Sequence, residues 1–109
     1  MTLAPLLIAA LIATTPPLLA GEGRLIAHGP DDDVVVWKTP GALIEGVALV
    51  RAKAEASVII PLIACAPLSG TRVIEAPEDL GRSMRGVVVT TGAWAGCRGV
   101  VEQENFERN

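Results

Sequence analysis

The stretch VVVTTGAWAGCRGVV, residues 87–101, decides how the chain is read. Two β-branched runs flank a turn rich in glycine and alanine, which is the pattern of a β-hairpin. The second run opens on Cys97, so the hairpin also carries a possible covalent anchor. A hairpin alone is marginal in water and needs further strands or a packed face. The rest of the chain is therefore searched for its partners.

Working outward, residues 71–76 (TRVIEA) alternate cleanly, with Thr71, Val73 and Glu75 on one face and Arg72, Ile74 and Ala76 on the other. Residues 34–38 (VVVWK) form a β-branched strand that runs into Thr39-Pro40-Gly41, a turn signal. Residues 57–65 (SVIIPLIAC) are strongly apolar, but Pro61 removes a ladder donor and points to an edge or a bulge. Residues 42–56 (ALIEGVALVRAKAEA) are ambiguous. Their Ala, Glu, Lys and Arg content favours a helix, whereas Gly46 and a period-two pattern favour two short strands bent at that glycine. The strand reading is preferred here. Residues 103–106 form one helical turn that brings Phe106 up as a plug, and residues 107–109 are a frayed tail. Five to seven short strands with turns between them predict an all-β barrel or sandwich.

Residues 1–20 (MTLAPLLIAALIATTPPLLA) are set apart. The apolar run over 3–13 is uncharged and shorter than the roughly 20 residues a bilayer needs. Pro16 and Pro17 break it before Glu22, the first charged residue. The segment reads as a signal peptide cut near Ala20, although its start carries no Lys or Arg. An uncleaved anchor or a buried helix is the other reading. Export predicts a secreted or periplasmic protein with no stable membrane insertion after cleavage. The division is then 1–20 signal peptide, 21–33 leader and 34–109 barrel domain. In the leader, Leu25 and Ile26 suggest one short strand, and Asp31, Asp32 and Asp33 a solvated turn.

A mature domain of this size has a limited core and often relies on a staple. Cys65 and Cys97 are the only cysteines, and an oxidising compartment favours pairing them. Closing that loop would contribute roughly 3–4 kcal/mol by chain entropy. Two buried free thiols remain the alternative. Two cysteines cannot complete a zinc site, and His28 is the one histidine, so no metal or other cofactor is expected.

The residues Gly70-Thr71-Arg72-Val73-Ile74, the strand at 85–92, and Gly96-Cys97-Arg98-Gly99-Val100-Val101 followed by a helical turn resemble the second half of bacterial Src-homology-three-like domains. The resemblance covers residues 34–106 in order and 70–106 in detail. It implies a small barrel and a binding or targeting role without catalysis. Val100 stands where that family usually has Trp, and Tyr is absent, so an aromatic ligand groove does not carry over.

Chemistry is sparse. His28 lies between Ala27 and a Gly-Pro pair, with no nucleophile beside it. The carboxylate pairs Glu78-Asp79 and Glu102 with Glu104 read as solvated surface. The net charge of −3, with nine Lys and Arg spread singly, offers no basic stripe for nucleic acid. What remains is Trp94 at the hairpin tip near Arg98, an indole and a guanidinium suited to an interaction hot spot. A lid over the disulfide is the competing role for Trp94. The reading is an exported, non-catalytic binding module for a peptide, a cell-wall component or a partner protein. A hydrolase inhibitor wedging with residues 92–98 and a purely structural accessory domain are the alternatives.

Overall fold

The computed structural model describes residues 21–109, so the signal-peptide reading lies outside the described residues. Seven strands, all paired antiparallel, make one open sheet: β1 (Glu22–Leu25), β2 (Val36–Trp37), β3 (Ile63–Cys65), β4 (Arg72–Glu75), β5 (Met84–Val89), β6 (Arg98–Glu102) and β7 (Phe106–Arg108). Their order in the sheet is β3-β2-β6-β5-β4-β1-β7. Among the described residues, two helices, α1 (Pro40–Arg51) and α2 (Ala56–Ile59), accompany the sheet.

The hairpin at 87–101 forms as expected. β5 and β6 run from Met84 opposite Glu102 to Val88 opposite Arg98. The pleat then sorts the side chains by face. Leu25, Val36, Cys65, Val73, Val87, Val89, Val101 and Phe106 meet in one core, so every strand contributes to it. Cys65 and Phe106 belong to the two edge strands, β3 and β7, yet both reach this core. The sheet therefore curls around its apolar face while its two edges stay unpaired with each other.

On the other face, β2 and β6 are covered by α1. Trp37, Ala42, Leu43 and Val100 form this second cluster. The helix corrects the strand reading of residues 42–56. Thr39 is extended and its Oγ1 accepts from the Ala42 amide at 2.9 Å, while Pro40 takes the first turn. Thr-Pro is thus a helix N-cap and N1 pair rather than a closing turn. Gly46 is not a bend. A Cβ there would lie 2.0 Å from Cζ3 of Trp37, so the glycine lets the helix backbone rest on the indole. The helix ends in a Schellman motif, with the Lys53 amide donating to Val50 O and the Ala54 amide to Leu49 O, both at 3.0 Å. Lys53 holds the left-handed conformation usually given to glycine, at φ 59°.

Two further expectations change, those for the run at 57–65 and for the tail. The apolar run at 57–65 is not one strand: α2 and a 3-10 turn (Ile60–Leu62, containing Pro61) precede the short edge strand β3. The short strand expected around Leu25 forms as β1, which lies between β4 and β7 with Leu25 fully buried. The tail is the edge strand β7. Arg24 donates to Glu107 Oε1 through Nε at 3.0 Å and Nη2 at 2.9 Å, and Arg108 pairs with Glu75. Phe106 packs into the core directly after a 3-10 turn (Gln103–Asn105), which fulfils its expected role as a plug.

Candidate functional site

Cys65 and Cys97 are joined in a disulfide, with Cα atoms 6.6 Å apart. No free thiol remains. The bond ties the edge strand β3 to the base of the β5–β6 hairpin. Across that base, the Gly96 amide donates to Val89 O and the Val89 amide to Cys97 O, both at 2.8 Å. The Cys97 amide donates to Trp94 O at 2.9 Å. Gly92 and Gly96 take positive φ, at 82° and 95°, which lets the chain turn this tightly. Trp94 thus stands on a short turn that is hydrogen-bonded internally and fixed covalently beneath.

Trp94 is 46% exposed. It forms one wall of a groove of about 280 Å³, and Pro67, Leu68 and Thr71 form the other. Leu68 is 66% exposed, while Pro67 is buried and fixes the loop. Leu68 is not among the residues that the sequence singles out. The only local signal was a large apolar residue in a turn, which acquires meaning once the disulfide draws β3 beside the hairpin. This groove is here called the apex.

Arg98 is exposed at the start of β6 but is not a wall of the groove. It faces across the sheet to Val88, which pairs in turn with Ile74, itself 46% exposed. Arg98 therefore belongs to the outer face of the sheet, next to the apex.

A second concavity, of about 480 Å³, was not foreseen. Its floor includes Val34, Val35, Trp37 and Val47, and its rim carries His28, Asp31, Asp33, Arg51, Glu102 and Glu104. His28 Nε2 lies 2.6 Å from Glu104 O, so that nitrogen carries the hydrogen and donates. Burial raises the Glu102 carboxyl above its ordinary range, the neighbouring Glu104 adds to the rise through its charge and a hydrogen bond, and Arg51 partly offsets it. Residues from β6, α1 and the segment before β2 are far apart in sequence, so spacing alone could not group them. Among the described residues, no group of three His, Cys, Asp or Glu is placed to hold a metal ion.

Among the described residues, no helix is long and apolar enough to cross a membrane. Comparison with protein-family models, with curated proteins and with solved structures finds no significant match. The fold and these two concavities are therefore the basis for assigning a role.

Proposed function

We propose that the protein is an exported, non-catalytic binding module built on a small Src-homology-three-like barrel, and that the apex is its contact surface. One observation carries this reading: Trp94 and Leu68 stay exposed side by side on a frame held by the Cys65–Cys97 disulfide. Exposed apolar residues on a rigid support bind at little ordering cost, because few rotamers and no backbone must be frozen. Trp is also among the commonest interface anchors. The disulfide supports export, since such bonds persist in oxidising compartments. The ligand class is a protein or peptide surface, or a cell-wall component, met by an indole rather than by a basic stripe.

The hairpin at 92–98 also suits a wedge that enters an enzyme's cleft, because Cys97 braces its base. That second reading places Arg98 in contact with the target as well. Pull-down from the exported fraction with wild type, Trp94→Ala and Arg98→Ala separates the two. A module using the apex loses its partner with Trp94→Ala alone, whereas a wedge loses it with either. A partner retained by both variants removes the apex from consideration. Mass spectrometry of the secreted form is expected to find an N-terminus near Gly21, and an intact Met1 in the cytosolic fraction overturns export.

A further inference from the structure

We infer that the cleft above Trp37 is a second binding site, separate from the apex, and that it takes a peptide segment of a partner protein in which basic side chains flank an apolar one. The cleft opens where the sheet stops pairing. β2 and β6 meet at Trp37 opposite Val100, and two residues further along each chain Val35 and Glu102 line the cleft instead. Alternation puts Val35 on the face of Trp37 and Glu102 on the face of Val100, the face that α1 covers. On α1, Val47, Val50 and Arg51 follow at helical spacing, so one side of the helix forms a wall. The loop through His28, Asp31 and Asp33 completes the lining. The volume of about 480 Å³ falls within the roughly 300–1,000 Å³ of ligand clefts. No lining residue is shared with the apex.

Charge decides the occupant. Asp31, Asp33, Glu102 and Glu104 line the cleft against the single guanidinium of Arg51. Among the described residues, none of these five forms a salt bridge. Burial first, then Glu104, raises the Glu102 carboxyl, and Arg51 does not cancel the rise. A further positive charge would favour the ionised form. An anionic ligand meets like charge here. A neutral apolar ligand strips water from carboxylates and gives them no partner. An ammonium or guanidinium supplies the missing charge, and its methylene stem can lie along Val35, Val47 and Val50, the last 53% exposed. The carboxylates come as two pairs, one from the loop before β2 and one from the end of β6 and the turn after it. A single amine neutralises at most one pair. A segment with two basic residues around an apolar one reaches both and sets its middle side chain on the valines.

Titration of the purified protein, followed by amide proton–nitrogen NMR, tests this with acetylated and amidated tripeptides of sequence Lys-Leu-Lys, Lys-Gly-Lys and Glu-Leu-Glu. Lys-Leu-Lys is expected to shift the amides of Val35, Val50 and Glu102 in a saturable way and to leave those of Leu68 and Trp94 in place. The glycine peptide and n-butylamine are expected to bind at least about threefold more weakly, the first for want of apolar contact. The glutamate peptide is expected not to bind. Rising salt is expected to weaken Lys-Leu-Lys, since the rim is exposed. Asp31→Asn with Asp33→Asn, and Glu102→Gln with Glu104→Gln, keep the side-chain shapes, and each pair is expected to weaken it about fivefold. Circular dichroism melts check that the variants fold, and the peptide and salt series on wild type requires no substitution. No saturable shift, shifts confined to the apex, equal binding of the glutamate or glycine peptide, or binding that ignores salt overturns the inference. n-Butylamine that binds as tightly as Lys-Leu-Lys makes the cleft a site for small amines and overturns the peptide assignment.

Discussion

Trp37 and Trp94 are the same residue type in a chain with few aromatics, and their surroundings are opposite. Trp37 is 5% exposed and Trp94 is 46% exposed. Trp37 directly follows a β-branched run, whereas Trp94 sits in a Gly/Ala turn, and what distant elements bring to each completes the difference. Trp37 meets Gly46 from α1, whose missing side chain makes room for the ring. Trp94 has only turn residues and the loop around Leu68 beside it. An indole is thus buried when another element brings it a flat, small-residue surface, and it stays available when none does. The first arrangement supplies stability and the second supplies a site.

The sharpest break in that comparison comes from truncating each ring. Trp37→Ala leaves a cavity under α1 and is expected to cost about 3–5 kcal/mol in urea unfolding. Trp94→Ala is expected to cost less than about 1 kcal/mol, as surface substitutions do. Equal losses would mean that Trp94 is a core residue. Next in size is the disulfide. Replacing Cys65 and Cys97 together by Ser is expected to remove roughly 3–4 kcal/mol. In single-tryptophan variants, the same change is expected to shift the emission of Trp94, which stands on the braced turn, more than that of Trp37. Gly46→Ala comes third. Alanine gains about 1 kcal/mol of helix propensity over glycine. Overpacking typically costs about 1–3 kcal/mol. With a Cβ only 2.0 Å from an enclosed ring, the steric term wins and the variant is expected to be less stable.

This contrast also explains how far the sequence could be read. The β5–β6 hairpin and the alternation of β4 are local patterns and were legible, as was Phe106, a lone large aromatic beside a polar turn. The helix α1 was not, because Gly46 makes sense only against Trp37, which lies in another element. β7 was read as a tail because its partner is β1 at the other end of the described chain. Trp94 and Arg98 were picked out by type and position, but Leu68 and the rim around Glu102 depend on contacts that no local pattern announces.

The Trp37 side can be tuned upward as well as broken. Lys53 sits at the left-handed position that closes α1, the helix covering that ring. A non-glycine residue in this conformation costs about 1–2 kcal/mol. Lys53→Gly relieves that cost but adds backbone entropy to the unfolded chain, so a net gain of up to about 1 kcal/mol is expected in urea unfolding. A loss would mean that the lysine side chain contributes something its backbone conformation does not.

The smallest expected effect concerns the cleft above Trp37, and its sign follows from proton linkage. Burial first, then Glu104, raises the Glu102 carboxyl in the folded protein. The folded state then holds a proton that the unfolded state has already released. The favourable contribution is complete below the ordinary glutamate range, at about pH 4. It is lost as pH climbs from there through the raised folded value. Glu102→Gln abolishes the titration while keeping the shape of the side chain. The variant is therefore expected to melt slightly higher than wild type at neutral pH, with the two curves converging near pH 4. A gap that stays constant with pH would assign Glu102 a packing role, because only an ionisable group in a partly desolvated rim makes the difference depend on protons.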